Sequence, residues 1–312
     1  MPALRRLPRL LKGDTIGIAA LSGPVEPEPL RRGCLFLEER GYRIRLGRNL
    51  ETREPSLGLA GSDRERAAAY LELLRDPDVK AIVFARGGYG IARALPLLDA
   101  DEIARTPKIH CGFSDVTVLS SFLLTRCGLP SFHGPMVAAD LAKGLDAVSS
   151  QFFPALLEGE GPTGVFLERG DEGVLAPGPA AGPLVGGCLS LLAASVGAPW
   201  EFDYSGALLF FEEVSEEAYR IDRMLGTLID SGRFAKLSGI LIGSLANVTF
   251  GGSENPDRLR TLLRDRLAPL GIPVVAGLPV GHRGPNVTLP VGARASWDPA
   301  SRLVRFEEEI VS

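Results

Sequence analysis

Short apolar runs of strand type alternate with helical segments through the first part of the chain. This alternation constrains the fold more than any other feature. Residues 15–21 (TIGIAAL) form an apolar run that ends in the turn signal Ser22-Gly23-Pro24, and read as a buried strand. A helix is expected over 29–40, with Leu30, Cys34, Leu35 and Leu37 apolar and Gly41 closing it. Residues 42–46 alternate as a second strand. A helix over 62–75 carries Ala67, Tyr70, Leu71 and Leu74 at helical spacing, capped by Ser62 or Asp63. The run 80–85 (KAIVFA) is another buried strand. It leads through Arg86-Gly87-Gly88-Tyr89-Gly90 into a helix ending near Leu97. A strand over 108–113 and a helix over 116–126, closed by Cys127-Gly128, complete the series. Strand, helix, strand, helix predicts a parallel sheet with helices on its faces. Ligands of such sheets sit beyond the carboxyl ends of the strands. Two loops stand out there, 86–90 and 112–115.

The texture changes after about residue 150. Residues 157–183 are rich in Gly, Pro and Glu and read as a linker with one β-excursion. The expected division is therefore a domain over 1–156, a linker over 157–183 and a second domain over 184–312. In that second domain, 184–196 is partly helical and 207–214 (ALLFFEEV) is a strand. A helix over 217–229 buries Ala218, Ile221, Leu225 and Leu228. Further strands are expected over 239–245, 273–278 and 302–306. No fixed-period repeat is present.

At 312 residues the chain has material for about two domains. A net charge of −4, with basic clustering only at Arg5, Arg6, Arg9 and Lys12, argues against a nucleic-acid partner. Cys34, Cys111, Cys127 and Cys188 show no metal-type spacing, and there are three histidines, so no metal or other cofactor is expected. Scattered thiols fit a reducing compartment. The N-terminal stretch lacks the apolar core of a signal peptide, and no run of about 20 apolar residues spans a membrane. A cytoplasmic location is the expectation.

Four groups of residues could carry chemistry. Gly112-Phe113-Ser114-Asp115-Val116 would hold Ser114 up at a strand-to-helix turn, with the Asp115 N–H aimed at the same point. The alternative is that Ser114 caps the following helix. The loop 86–90 lets its backbone approach a ligand closely and could supply a second N–H. Alternatively it is a tight connection. A serine nucleophile needs a base. His110 lies in a buried strand and reads as a core residue. His133 lies on a loop near a strand end. His282, in Gly281-His282-Arg283-Gly284, is exposed by its loop and is the best base candidate. Glu212 and Glu213 end an apolar strand, where neighbouring side chains point to opposite faces, so only one of them can enter a site.

The segments GDTIGIAALSGPV, ARGGYGIARALPLLD, GFSDVTVL, HGPM, LLFFEEVSEEAYRIDRML and LPVGHRGPNVTLPVG occur in that order across nearly the whole chain. Together they resemble the LD-carboxypeptidase family of serine peptidases, the muramoyltetrapeptide carboxypeptidases. That family also holds immunity peptidases that inactivate a peptide–nucleotide antibiotic. The resemblance implies a flavodoxin-like N-terminal α/β domain with a parallel sheet, a smaller β-rich α/β C-terminal domain, a homodimer and no metal. It implies Ser114 as nucleophile, Glu212 as acid and His282 as base, with the N–H groups of Gly88 and Asp115 as oxyanion hole. Arg86, Tyr89 and His133 are candidates for substrate binding by their position.

The expected reaction is hydrolysis of the amide between meso-diaminopimelate and terminal D-alanine in the murein tetrapeptide. One rival is a microcin C-type immunity peptidase acting on an aminoacyl-nucleotide antibiotic. Relatives of that kind tend to carry a longer insertion between the domains, and here only Trp200 and Trp297 could stack a base. The other rival is a non-catalytic small-ligand-binding α/β protein, against which a triad in the order Ser, Glu, His argues.

Overall fold

The computed structural model describes residues 4–167 and 173–312. The chain forms two compact units. The first runs to Gly161 and takes in Val287–Pro290 and Glu309–Ser312; the second comprises Pro162–Asn286 and Val291–Glu308.

In the first unit, β1 (Thr15–Ala19), β2 (Arg43–Leu46), β3 (Val79–Phe84), β4 (Ile109–Cys111) and β5 (Ser131–His133) are joined by parallel pairings in the order β5-β4-β3-β1-β2. That is the flavodoxin-like order. The helices are α1 (Pro27–Glu38), α2 (Asp63–Arg75), α3 (Ile91–Ala94), α4 (Ala100–Arg105), α5 (Val116–Arg126), α6 (Ser149–Phe152) and α7 (Ala155–Glu158). β1 and β3 are almost wholly buried, as expected of strands with a helix on each face. Ser62 caps α2 in a reciprocal capping box with Glu65. α1 begins two residues before the expected start, because Pro27 is tolerated in the first helical turn, where its missing N–H costs nothing.

The second unit holds an eight-stranded mixed sheet. Its strands are β6 (Gly164–Phe166), β7 (Val174–Ala176), β8 (Ala180–Cys188), β9 (Leu208–Val214), β10 (Gly239–Ala246), β11 (Val274–Ala276), β13 (Arg294–Asp298) and β14 (Leu303–Phe306); β12 (Leu289–Val291) joins the first sheet beside β5. The order is β6-β14-β13-β8-β9-β10-β11-β7, parallel from β8 to β11 and antiparallel toward both edges. Its helices are α8 (Leu189–Ala194), α9 (Ala218–Asp230) and α10 (Pro256–Leu267). The segment 157–183, expected as a linker, contains β6, β7 and the start of β8; its residues 168–172 lie outside those described. β6 and β7 are three residues each and sit at the sheet edges, where Gly and Pro are tolerated and periodicity is lost. α10 was not expected, although Asn255 caps it and Pro256 opens it.

Among the described residues, no helix is long and apolar enough to cross a membrane. All four cysteines are free thiols.

His110 is a core residue, as its strand position suggests. Its Nδ1 lies 3.0 Å from the Lys108 carbonyl, so that nitrogen must carry the proton, and Nε2 accepts from the Tyr70 hydroxyl at 2.8 Å. Burial lowers its pKa to about 4. A histidine depressed in the folded state contributes stability above its unfolded pKa and loses it as pH falls toward the folded one. Wild type should therefore lose about 2 kcal/mol between pH 7 and 4.5 from this group. His110→Gln should lack that component. Urea unfolding of both proteins at the two pH values checks this, and an unchanged wild-type-minus-variant difference contradicts it.

A second expectation concerns α1. A Cβ on Gly33 would lie 2.1 Å from the carbonyl oxygen of Val137, a backbone atom that no rotamer change can move aside. Alanine gains about 1 kcal/mol of helix propensity, but overpacking against fixed backbone costs about 1–3 kcal/mol or more. Gly33→Ala should lower the urea midpoint, and a raised midpoint would contradict the packing.

Candidate active site

In the first unit the chain leaves β4 and turns sharply into α5 at Ser114. Its φ is 61°, a left-handed conformation costing about 1–3 kcal/mol for a residue that is not glycine. Ser114 does not cap α5: the cap position is Asp115, and no side chain makes a capping bond there. The strained turn lifts the Ser114 side chain out of the sheet and leaves it partly exposed. The loop 86–90, which follows β3, lies directly against it. A Cβ on Gly87 would sit 2.7 Å from Ser114 Cβ and 2.8 Å from Ser114 Oγ, so only glycine fits beside the raised serine. Among the described residues, neither the Gly88 N–H nor the Asp115 N–H donates to a protein acceptor.

The Asp115 carboxyl turns inward and is 2% exposed. It accepts from Ser22 Oγ at 2.6 Å and from the Ile91 N–H at 3.0 Å. Burial pushes its pKa up, opposed by those two donors and by the nearby Arg66 guanidinium. Arg66 itself is wholly buried. It donates to the carbonyls of Leu21, Gly90 (2.9 Å) and Gly61 (3.3 Å) and pairs with Asp63. Neither Ser22 nor Arg66 was singled out by the sequence. Ser22 reads as a turn residue and Arg66 as one charge among several on a helix; Asp115, the partner of Ser22, and Leu21 and Gly90, partners of Arg66, are distant in the chain.

The substrate-binding candidates cluster less tightly. Arg86 is exposed, with Nη1 at 3.4 Å from the Pro24 carbonyl, and Tyr89 is exposed. His133 is buried, with its ring centroid 5.6 Å from that of Phe113, the residue before Ser114.

In the second unit, Glu212 lies on the central strand β9, between β8 and β10. It is fully buried, and its Oε2 lies 2.7 Å from His282 Nδ1, whose side chain is 21% exposed. Burial pushes the Glu212 carboxyl up, while the His282 ring and backbone N–H pull it down. Its Oε1 is buried with no hydrogen-bond partner among the described residues. The pairing fixes the tautomer. With Nδ1–H donating to the carboxylate, Nε2 carries the lone pair. Glu213 points to the other face, as strand alternation requires. It accepts from the Ser190 N–H at 2.7 Å and from the Cys188 thiol at 3.3–3.4 Å. The first unit thus presents a serine raised at a strained turn beside two N–H groups, and the second a carboxylate that orients a histidine, each of a kind that acyl-transfer chemistry uses. Among the described residues, no group of three or more His, Cys, Asp or Glu is arranged to hold a metal ion.

Known proteins resemble the chain along most of its length. The LD-carboxypeptidase N-terminal domain matches residues 16–134, and the LD-carboxypeptidase C-terminal domain matches 181–296. A probable murein peptide carboxypeptidase of Bacillus subtilis is 38% identical over 96% of this chain and 93% of its own length. The murein tetrapeptide carboxypeptidase of Pseudomonas aeruginosa is 30% identical over 90% and 92%. Among solved structures, MccF in complex with glutamyl sulfamoyl guanosine superposes with a TM-score of 0.87 at 26% identity, covering 98% of this chain and 99% of that one. Muramoyltetrapeptide carboxypeptidase from Oxalobacter formigenes superposes with a TM-score of 0.81 at 34% identity, over 93% and 97%. The chain belongs to the LD-carboxypeptidase family.

Proposed function

We propose that this carboxypeptidase is a serine-type, metal-independent hydrolase of murein tetrapeptide, cutting the amide between meso-diaminopimelate and terminal D-alanine. The observation that carries this reading is the 2.7 Å contact between His282 Nδ1 and the buried Glu212 carboxylate. It leaves Nε2 as the nitrogen that takes the Ser114 proton during attack and returns it to the departing D-alanine amine. Glu212 stabilises the imidazolium. The Gly88 and Asp115 N–H groups receive the negative charge that develops on the carbonyl oxygen. Four free thiols and the recycling of wall peptides fit action in the cytoplasm, by a homodimer.

A second reading, hydrolysis of an aminoacyl-nucleotide antibiotic, is favoured by the superposition on MccF. Against it, Trp297 is buried in β13 and cannot stack a base, which leaves one tryptophan for that task.

The purified protein should release D-alanine from murein tetrapeptide and leave an aminoacyl sulfamoyl nucleotide intact, as read by mass spectrometry; the reverse preference selects the second reading. Turnover should survive exhaustive EDTA treatment, and loss restored by zinc would sink the serine mechanism. Ser114→Ala should cost about 10⁴–10⁶ in kcat. Glu212→Gln should cost about 10²–10⁴, and Glu213→Gln less than about tenfold, because Glu213 bonds to Ser190 and Cys188 and not to the histidine. Steady-state rates decide the matter: a crippled Glu213→Gln beside a healthy Glu212→Gln would reverse the assignment of the acid.

A further inference from the structure

Three segments of the first unit meet at two buried, oppositely charged side chains: Leu21–Ser22 after β1, Gly90–Ile91 after β3, and Ser114–Asp115 after β4. Arg66 donates to the carbonyls of Leu21 and Gly90. One residue further along each of those segments, the Asp115 carboxylate accepts from Ser22 Oγ and the Ile91 N–H. The loop that carries Gly88 is thus held by a cation through its Gly90 carbonyl and by an anion through the next amide. The anion belongs to the very residue whose backbone N–H lies beside Ser114. Gly88 also packs on the Ser22 segment, since a Cβ there would lie 3.5 Å from the Gly23 nitrogen and 3.9 Å from Ser22 Cβ.

Asp115 is an expensive choice for structure alone. Burying a carboxyl costs several kcal/mol unless it is well paired, and a neutral polar group could bond Ser22 equally well. What a carboxylate adds is charge: donors from two different segments converge on its Oδ2, the charge strengthens both bonds, and the Arg66 guanidinium attracts it. It thereby sets the spacing between the loop and the serine turn. Backbone donors of an oxyanion site work only when their positions are fixed in advance, about 2.7–3.1 Å from the developing charge.

We propose that the Asp115 carboxylate is a positioning residue for catalysis: through Ser22 and Ile91, with Arg66 clamping the same loop, it fixes the Gly88 N–H relative to the Asp115 N–H. This rests on the reading of Ser114 as nucleophile and of these two amides as the oxyanion donors. Both bonds end on the same oxygen, Oδ2; Asp115→Asn keeps the volume and an accepting oxygen but removes the charge that strengthens both bonds and is attracted to Arg66, so the loop is held less firmly against the turn. Ser22→Ala removes one of the two bonds and leaves the carboxylate in place.

The test compares four readouts in wild type, Asp115→Asn and Ser22→Ala. These are kcat and KM on murein tetrapeptide, the rate of labelling by a fluorophosphonate, the inhibition constant of the tripeptide product, and the melting temperature. Misplacing a donor should cost less than deleting one, which costs about 10²–10³. The expected result is a fall of about 10–100-fold in kcat for Asp115→Asn and a smaller fall for Ser22→Ala. Labelling should slow in parallel, because the phosphoryl oxygen occupies the same donors. KM and the tripeptide constant should stay within about threefold of wild type. Wild-type kcat in both variants overturns the proposal. So does a loss of tripeptide binding and melting temperature in step with kcat, which marks a structural role. If Asp115→Asn does not fold, Ser22→Ala decides by the same criteria. Ser114→Ala is the control for the underlying reading: if it retains activity and labelling, that reading fails, whatever the Asp115 variants do.

Discussion

A serine held at a φ of 61° is the constraint on which the first unit is built. The conformation costs about 1–3 kcal/mol and persists only where its surroundings leave no alternative. Here the surroundings do so from two sides. Gly87 presents no side chain where Ser114 rises, and Asp115 anchors the far side of the turn to Ser22 and Ile91. α5 then begins at Val116 and is buried along nearly its whole length, so the turn cannot relax by shifting the helix. The strain is confined to one residue because its neighbours are packed or bonded.

The second unit solves a different problem. A fully buried carboxylate is costly, and Glu212 has one hydrogen-bonded oxygen and one without a partner among the described residues. A group in that state gains from a positive neighbour. An imidazolium formed beside it is stabilised by the same low-dielectric surroundings that push the carboxyl pKa up. Glu213, adjacent in sequence and also buried, is satisfied by the Ser190 N–H and the Cys188 thiol. Two neighbouring carboxylates therefore differ in reactivity through their partners, because the pleat sends them to opposite faces.

Much of this was legible in the sequence, for identifiable reasons. α2 and α5 and strands β1, β3 and β9 follow from apolar periodicity and run length, and the expected bounds of α5, 116–126, coincide with the observed ones. β6 and β7 were not resolved within the Gly- and Pro-rich segment, since three-residue edge strands have no periodicity to detect. α10 carries its own signal in the sequence, Asn255 and Pro256 ahead of Leu259, Leu263 and Leu267. At the site, alternation shows that Glu212 and Glu213 diverge but not which of them faces the histidine. That depends on the register of β9 against its neighbours, which is a tertiary property. The contacts of Arg66 with Leu21 and Gly90, and of Asp115 with Ser22 and Ile91, were illegible because those partners lie 24 to 93 residues away.

Backbone similarity and sequence similarity rank the relatives differently. The superposition is higher on MccF, at 0.87, than on the Oxalobacter formigenes enzyme, at 0.81, while identity runs the other way, 26% against 34%. A superposition score measures the path of the backbone, and one backbone hosts many substrates. Substrate choice resides in the side chains that meet the ligand, and identity samples those more directly than the fold does. A nucleotide-bearing substrate would need an aromatic or guanidinium plane for its base. The chain has two tryptophans, and β13 takes one of them, Trp297, into its core. Tyr89 and Arg86 stay exposed on the loop beside Ser114 and offer such planes, so the tryptophan count does not by itself choose between the two substrates.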